Sequence, residues 1–314
     1  MRQLSVIAPV FNEEANLPVF FHRCTDTLRK LAVDYEIIFV DDGSRDGTPR
    51  WLYDKSRSDD RVHFIRFSRN FGHQMALTAG LDHASGKVII IIDTDLQDPP
   101  ELIEQLYRKH LEGFEVVYAK RRKRKGEGWF KLWTARVFYR LLKRMTSFEI
   151  PLDAGDFRLI DRKVADVLKR MPEQQKFYRG QVAWAGFRQS YVEYDRDKRL
   201  SGKTNYPFRK MLRLAIDAIT SFSDSPIRFV TMLGFIVSLI AFGFIIYALL
   251  SYFVIHRYVP GWTSLMIAIT FIGGVQLICI GIIGEYISRI SANVRGRPPY
   301  VVMESSFDRT EVGK

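Results

Sequence analysis

Two rhythms of apolar residues alternate along the first part of the chain. Short runs rich in β-branched and aromatic residues read as five strands: L-S-V-I-A-P-V, Y-E-I-I-F-V, V-H-F-I-R-F, V-I-I-I-I and E-V-V-Y-A. Between them, apolar residues recur at helical spacing. One such stretch runs from Asn16 to Ala32, and a second starts at T-P-R-W-L-Y. A third covers 71–84, and a fourth follows Pro99-Pro100 and stops at Gly113. Thr48 is the expected N-cap of the second helix, with Pro49 at its first position, and Gly86 is expected to end the third. Strand-helix alternation of this kind predicts an α/β fold, its sheet mostly parallel and covered by helices on both faces.

The pattern changes toward the C-terminus. No charged residue falls between Arg228 and His256, nor between Tyr258 and Gly284. Each stretch exceeds the roughly 20 residues that span a bilayer core. The linker H-R-Y-V-P-G is short, so two membrane helices in a hairpin are expected, at about 229–255 and 262–284 within 227–290. Arg209, Lys210, Arg213 and Arg228 precede the hairpin, and Arg289, Arg295 and Arg297 follow it. The linker offers only Arg257 and His256. The positive-inside rule then predicts that both termini and the N-terminal two-thirds are cytoplasmic. Gly273, Gly274, Gly281 and Gly284 suit either close helix packing in a homo-oligomer or helix flexibility.

Composition narrows the partners. The 314 residues carry a net charge of +12 with a pI of about 9.6, which asks for a polyanionic neighbour: nucleic acid, a phosphorylated ligand or a membrane surface. Cys24 and Cys279 have no metal-ligand spacing and form no disulfide framework. The N-terminal apolar segment is too short for a signal peptide. Basic residues gather in K-R-R-K-R-K-G-E-G, in the helix-like stretch after it and in D-R-D-K-R-L-S-G-K-T-N-Y. The segment 207–226 is expected to be an amphipathic interfacial helix, and 291–314 a tail, loose beyond Tyr300.

Acidic residues mark the strand ends. In open parallel sheets ligands bind beyond the carboxyl ends of strands. There the chain places Asn12-Glu13-Glu14, Asp41-Asp42-Gly43-Ser44 and Asp93-Thr94-Asp95. Asp93, Asp95 and the amide of Gln97 make an oxygen-rich set suited to Mg²⁺ or Mn²⁺, with further ligands from a substrate diphosphate. Asp42 is as well suited to capping a turn before Gly43 as to a site role. His73, His83, His110 and His256 are scattered and read as structural or surface residues.

The motifs P-V-F-N-E, V-D-D-G-S, R-N-F-G-H-Q, D-T-D-L-Q-D-P-P, D-A-G-D-F-R-L-I-D and S-G-K-T resemble those of the inverting family 2 glycosyltransferases. The branch they resemble is that of polyprenyl-phosphate glycosyltransferases, the dolichyl-phosphate mannose synthases and bactoprenol glucosyltransferases. The two C-terminal spans match the latter. The resemblance implies a GT-A, Rossmann-like catalytic domain over 1–206. It also implies transfer of a hexose, glucose from UDP-glucose being the expectation, to polyprenyl phosphate. By the same resemblance Pro9, Phe11 and Glu13 hold uracil and ribose, Asp41 contacts the nucleoside, and Asp93 sits beside ribose and diphosphate. Asp95 and Gln97 hold the metal. Arg122 and Arg136 meet the acceptor phosphate, with Arg140 on the helix face of Arg136. Arg199 and Lys203 belong to a loop that closes over the donor phosphates, with Gly202 permitting the motion. Asp156 aligns the acceptor or pairs with Arg158. An ionised phosphate acceptor needs no strong base.

Two other readings compete. A processive polysaccharide synthase would carry more spans and a Q-x-x-R-W motif. A membrane-tethered nucleic-acid binder would explain the charge, but leaves three acidic clusters without a role.

Overall fold

The computed structural model describes residues 2–122, 154–174, 176–195, 225–250 and 261–307. They form two units, one from 1–208 with 297–314 and one from 209–296.

Within the first unit lies a single sheet of eight strands. Its strands are β1 (Leu4–Val10), β2 (Tyr35–Asp41), β3 (Val62–Phe67), β4 (Val88–Ile91), β5 (Val116–Arg121), β6 (Ala154–Asp161), β7 (Gln189–Tyr194) and β8 (Val302–Ser305). Their order is β7-β5-β6-β4-β1-β2-β3-β8. The run β4-β1-β2-β3 is parallel, and β5 pairs in parallel with β7. β6 runs antiparallel between β4 and β5. The sheet is therefore mostly parallel, with an antiparallel insertion that strand-helix alternation does not foretell.

The near-continuous apolar strands follow from burial on both faces. Leu4, Val6 and Ala8 of β1 and Val88 and Ile90 of β4 pack on one face with Leu17, Phe20 and Leu28 of helix α1 (Leu17–Leu31). On that face they also meet Leu106 of α4 (Leu102–Leu111). Ile7, Ile89 and Ile91 point the other way. There they meet Leu77 of α3 (His73–His83), Leu168 of α5 (Arg162–Arg170) and Val182 of α6 (Tyr178–Trp184).

Two expected helix signals act differently in three dimensions. Thr48 is the first residue of α2 (Thr48–Ser58), not its cap, and its hydroxyl accepts the Glu13 amide at 3.1 Å. Helix α3 already ends at His83. Gly86 is glycine because an added Cβ would come within 2.5 Å of the Ser5 backbone nitrogen.

The C-terminal segment is the main correction. The expected tail is tied to the sheet: β8 pairs antiparallel with the outer edge of β3. Tyr300 stacks on Phe67 and donates to Asp82 at 2.9 Å, and Phe307 stacks on His63 and packs at a tilt against His83. Aromatic anchors and an unpaired edge of β3 are a stronger local drive than the polar sequence around them suggests.

The second unit holds two long helices that touch, α7 (Ser225–Leu250) and α8 (Trp262–Val294). Among the described residues, Phe271–Val294 of α8 is long and apolar enough to cross a membrane. Helix α8 continues ten residues past the expected end at Gly284, and Arg289 pairs with Glu285 along it at 3.1 Å. The interfacial helix expected over 207–226 lies almost wholly outside the described residues.

Candidate active site

The loops after β1 and β2 are laced into one wall. The Asn12 amide donates to the Ser44 hydroxyl at 2.9 Å, and Asn12 Oδ1 accepts the Arg45 amide at 2.9 Å. Glu14 Oε2 accepts the Gly47 amide at 2.9 Å, while its own amide donates to Asp46 at 3.2 Å. Asn12 adopts the left-handed region at φ 55°, which asparagine tolerates better than most residues. Gly43, at φ 79°, permits both the turn and the close passage of another loop. A Cβ there would lie 2.6 Å from the Arg69 carbonyl carbon.

Beside this wall opens a cleft of about 190 Å³. Pro9, Val10, Phe11 and Glu13 line it from β1 and its loop, Asp42 from the end of β2, and His73 and Ala76 from α3. Asp93, Thr94 and Asp95 complete it beyond β4. Phe11 is 46% exposed, an aromatic face open to the cleft. The apolar run of β4 is thus a central strand, and its aspartates lie where it emerges into the site.

The adjacent pair Asp41-Asp42 divides its work. Asp41 is fully buried, accepts the Ser44 amide at 2.8 Å and lies 3.5 Å from Arg66 Nε. Asp42 lines the cleft and accepts the amides of Phe71 at 2.7 Å and Gly72 at 3.0 Å. Burial raises both carboxyls above their ordinary range, and the hydrogen bonds at each work against it.

Beyond β4, Asp95 Oδ1 accepts the Gln97 amide at 3.1 Å, and Leu96 between them is held at φ 58°. A leucine there is strained by about 1–3 kcal/mol and persists only where packing enforces it. Leu96 is indeed buried in the core. Asp98 is buried too, taking the Tyr194 hydroxyl and lying 3.6 Å from Arg121.

Asp93 and Asp95 supply hard oxygen ligands on one cleft wall, while Gln97 contributes a backbone amide to the turn. Among the described residues no three His, Cys, Asp or Glu side chains cluster as a metal cage. The donor set fits a cation of the Mg²⁺ or Mn²⁺ kind that completes its shell with water and a substrate diphosphate.

A cluster invisible in the linear sequence adjoins the cleft. His73 Nε2 lies 3.7 Å from Asp93 and 3.3 Å from Asp156. Arg179 Nε donates to Asp156 Oδ1 at 3.1 Å, and Arg158 Nη2 lies 3.6 Å from the same oxygen. Burial works against the His73 cation, but the Asp156 and Asp93 carboxylates raise it to about 9. Burial pushes the Asp93 carboxyl up to about 6, against the pull of His73. Burial also opposes the Asp156 charge, yet Arg179, His73 and Arg158 hold that carboxyl far below its usual range. Asp156 thus adjoins the cleft through His73 and lies 3.6 Å from Arg158. His73, expected from its scattered position to be structural or at the surface, lines the cleft and lies between these two carboxylates.

Arg122 is 60% exposed at its side chain, 3.9 Å from both Glu193 and Asp195. Arg136, Arg140, Arg199, Gly202 and Lys203 lie outside the described residues, as does His256.

Comparison with known proteins agrees with this geometry. The profile of glycosyl transferase family 2 matches residues 5–169, and that of the GtrB C-terminal hairpin matches 225–290. An uncharacterized glycosyltransferase of Bacillus subtilis, YkcC, is 47% identical, covering 96% of this chain and 94% of its own. The SfII prophage-derived bactoprenol glucosyl transferase of Shigella flexneri is 41% identical, covering 96% of this chain and 98% of its own. Mannosyl-3-phosphoglycerate synthase from Rubrobacter xylanophilus shares the fold, with a TM-score of 0.50 at 17% identity over 70% of this chain and 73% of that one. The hairpin and its apolar helix mark the protein as membrane-associated. With a GT-A sheet, an acidic cleft at its strand ends and these matches along its length, the chain belongs to glycosyl transferase family 2.

Proposed function

We propose that this enzyme transfers glucose, with inversion, from UDP-glucose to undecaprenyl phosphate on the cytoplasmic leaflet. The observation that carries the reading is the meeting of Phe11, Glu13, Asp42, Asp93 and Asp95 in one cleft beside the Asp156 cluster. Relatives named as bactoprenol glucosyl transferases match over nearly the whole length, hairpin included, and support this acceptor. The arginines flanking the hairpin support the cytoplasmic side.

Each residue's task follows from its surroundings. Phe11 offers a face for the base, and Pro9 and Glu13 border the ribose. Asp41 serves the nucleoside wall by holding the turn from which Asp42 projects. A divalent cation on Asp93 and Asp95 would neutralise charge developing on the leaving diphosphate. Asp156 stays ionised and aligns the acceptor, whose phosphate is itself the nucleophile. Arg199 and Lys203 on the donor phosphates, and Arg136 and Arg140 on the acceptor, keep the roles that the family resemblance of the sequence assigns them.

The test is a transfer assay on purified full-length protein in detergent with undecaprenyl phosphate and Mg²⁺. Radiolabelled UDP-glucose, UDP-galactose, UDP-GlcNAc and GDP-mannose are supplied separately. Organic-phase label from UDP-glucose alone, abolished by EDTA, is the expected result. Label from a different donor overturns the sugar assignment, and no label from any donor overturns the acceptor assignment.

A further inference from the structure

We propose that Arg179 is a phosphate-binding residue of this enzyme and that it receives the phosphate of the lipid acceptor. The inference rests on the transfer reading above and assigns that site a ligand the sequence motifs did not indicate.

Three cationic side chains face the single carboxylate of Asp156, and they are not equivalent. Arg158 is 4% exposed, and its donors are committed to backbone: Nε to the Asp156 carbonyl at 3.3 Å and Nη2 to the Gly155 carbonyl at 2.9 Å. His73 lies between Asp156 and Asp93. Arg179 gives Asp156 only its Nε, at 3.1 Å, and its side chain is 33% exposed. Its terminal nitrogens make no hydrogen bond among the described residues. Neutralising Asp156 requires one cation, and two others are already present. The exposed guanidinium edge is a surplus positive charge at the site, in the planar two-donor geometry that phosphate accepts.

The backbone that carries Arg179 is also held in place. The backbone amide of the preceding residue, Tyr178, donates to Gln74 Oε1 at 3.1 Å, and the Tyr178 hydroxyl donates to the Thr78 hydroxyl at 2.9 Å. Residues 73 and 74 therefore act together, His73 on Asp156 and Gln74 on the segment that carries Arg179. Rigid seating of this kind is what orientation-dependent catalysis needs.

The acceptor is favoured over the donor diphosphate on two grounds. The donor diphosphate would have the cation that Asp93 and Asp95 could hold, whereas Arg179 is bonded to Asp156, the residue assigned above to the acceptor. Arg122, the sequence-based candidate for this task, is 60% exposed and 3.9 Å from Glu193 and Asp195, which leaves a phosphate room for a second arginine at Asp156.

The experiment compares Arg179→Gln and Arg179→Lys with wild type in full-length protein, each first checked for an unchanged thermal midpoint. KM is measured separately for undecaprenyl phosphate and for the nucleotide-sugar, and undecaprenyl phosphate and UDP binding are measured directly by calorimetry. Arg179→Gln is expected to weaken acceptor KM and binding by about tenfold or more, the size of one lost charge-assisted contact, with UDP binding unchanged. Arg179→Lys, also the fallback if the glutamine variant misfolds, should recover part of the loss because a point charge replaces the fork. Unchanged acceptor binding with a lower kcat in both variants would reduce Arg179 to positioning Asp156 and overturn the proposal. Weakened UDP binding instead of acceptor binding would overturn it in favour of the diphosphate. If wild type binds undecaprenyl phosphate through Arg179 but transfers no sugar to it, the transfer reading fails while the phosphate site stands.

Discussion

His73 Nε2 lies 3.3 Å from Asp156 Oδ2, so an imidazole at the start of α3 joins the carboxylate of β6 to the cleft lined by Asp93. One histidine spans Asp93 in the cleft and Asp156 beside it. Replacing it removes a cation from between two carboxylates and loosens both. His73→Asn is expected to lower kcat by about 10- to 100-fold, the scale of a misplaced reacting group. UDP binding should change little. A variant with wild-type kcat would show that His73 only fills space.

The carboxylates beyond β4 give a second expectation. Asp95 lines the cleft and shapes its own turn through the Gln97 amide. On the proposed reading, in which a cation held by Asp93 and Asp95 would offset charge on the leaving diphosphate, Asp95→Ala should reduce transfer by about 10²-fold or more. EDTA should do the same to wild type, and added Mn²⁺ should restore wild type but not the variant. Transfer that survives both treatments would end the divalent-cation reading.

Gly43 should be intolerant of even a methyl group. Its φ of 79° and the 2.6 Å approach to the Arg69 backbone leave no room for Cβ. Gly43→Ala is expected to destabilise the catalytic domain by about 1–3 kcal/mol through backbone strain alone. Thermal unfolding in detergent reads the shift, and a midpoint equal to wild type would mean that the turn relaxes freely.

The C-terminal strand predicts a stability effect far from the chemistry. Phe307 stacks on His63 with ring centroids 4.6 Å apart and approaches His83 at 5.0 Å. Phe307→Ala should lower stability by about 0.5–1.5 kcal/mol beyond the loss of buried area. Deleting 302–314 should go further, exposing the edge of β3 and promoting aggregation. Light scattering of the truncated protein during heating checks this. A truncated protein as soluble as wild type would show that β3 needs no cover.

The amino-acid sequence by itself determined the features that depend on local pattern. The strands β1 to β5, the helices between them, the acidic clusters at strand ends and the two apolar C-terminal stretches all follow from periodicity and turn residues within a few positions of each other. These signals survive because burial on both faces leaves β1 and β4 almost without polar positions. Tertiary structure decided what depends on strand order and loop approach. It inserted β6 antiparallel between β4 and β5 and drew β8 back onto β3, pairings set by residues 34 or more positions apart. It turned Asp42 rather than Asp41 into the cleft, a choice made by the Phe71 and Gly72 amides across the Gly43 turn. And it gathered His73, Asp156 and Arg179 from α3, β6 and α6 into one charge cluster, because only the folded sheet brings the ends of those elements together.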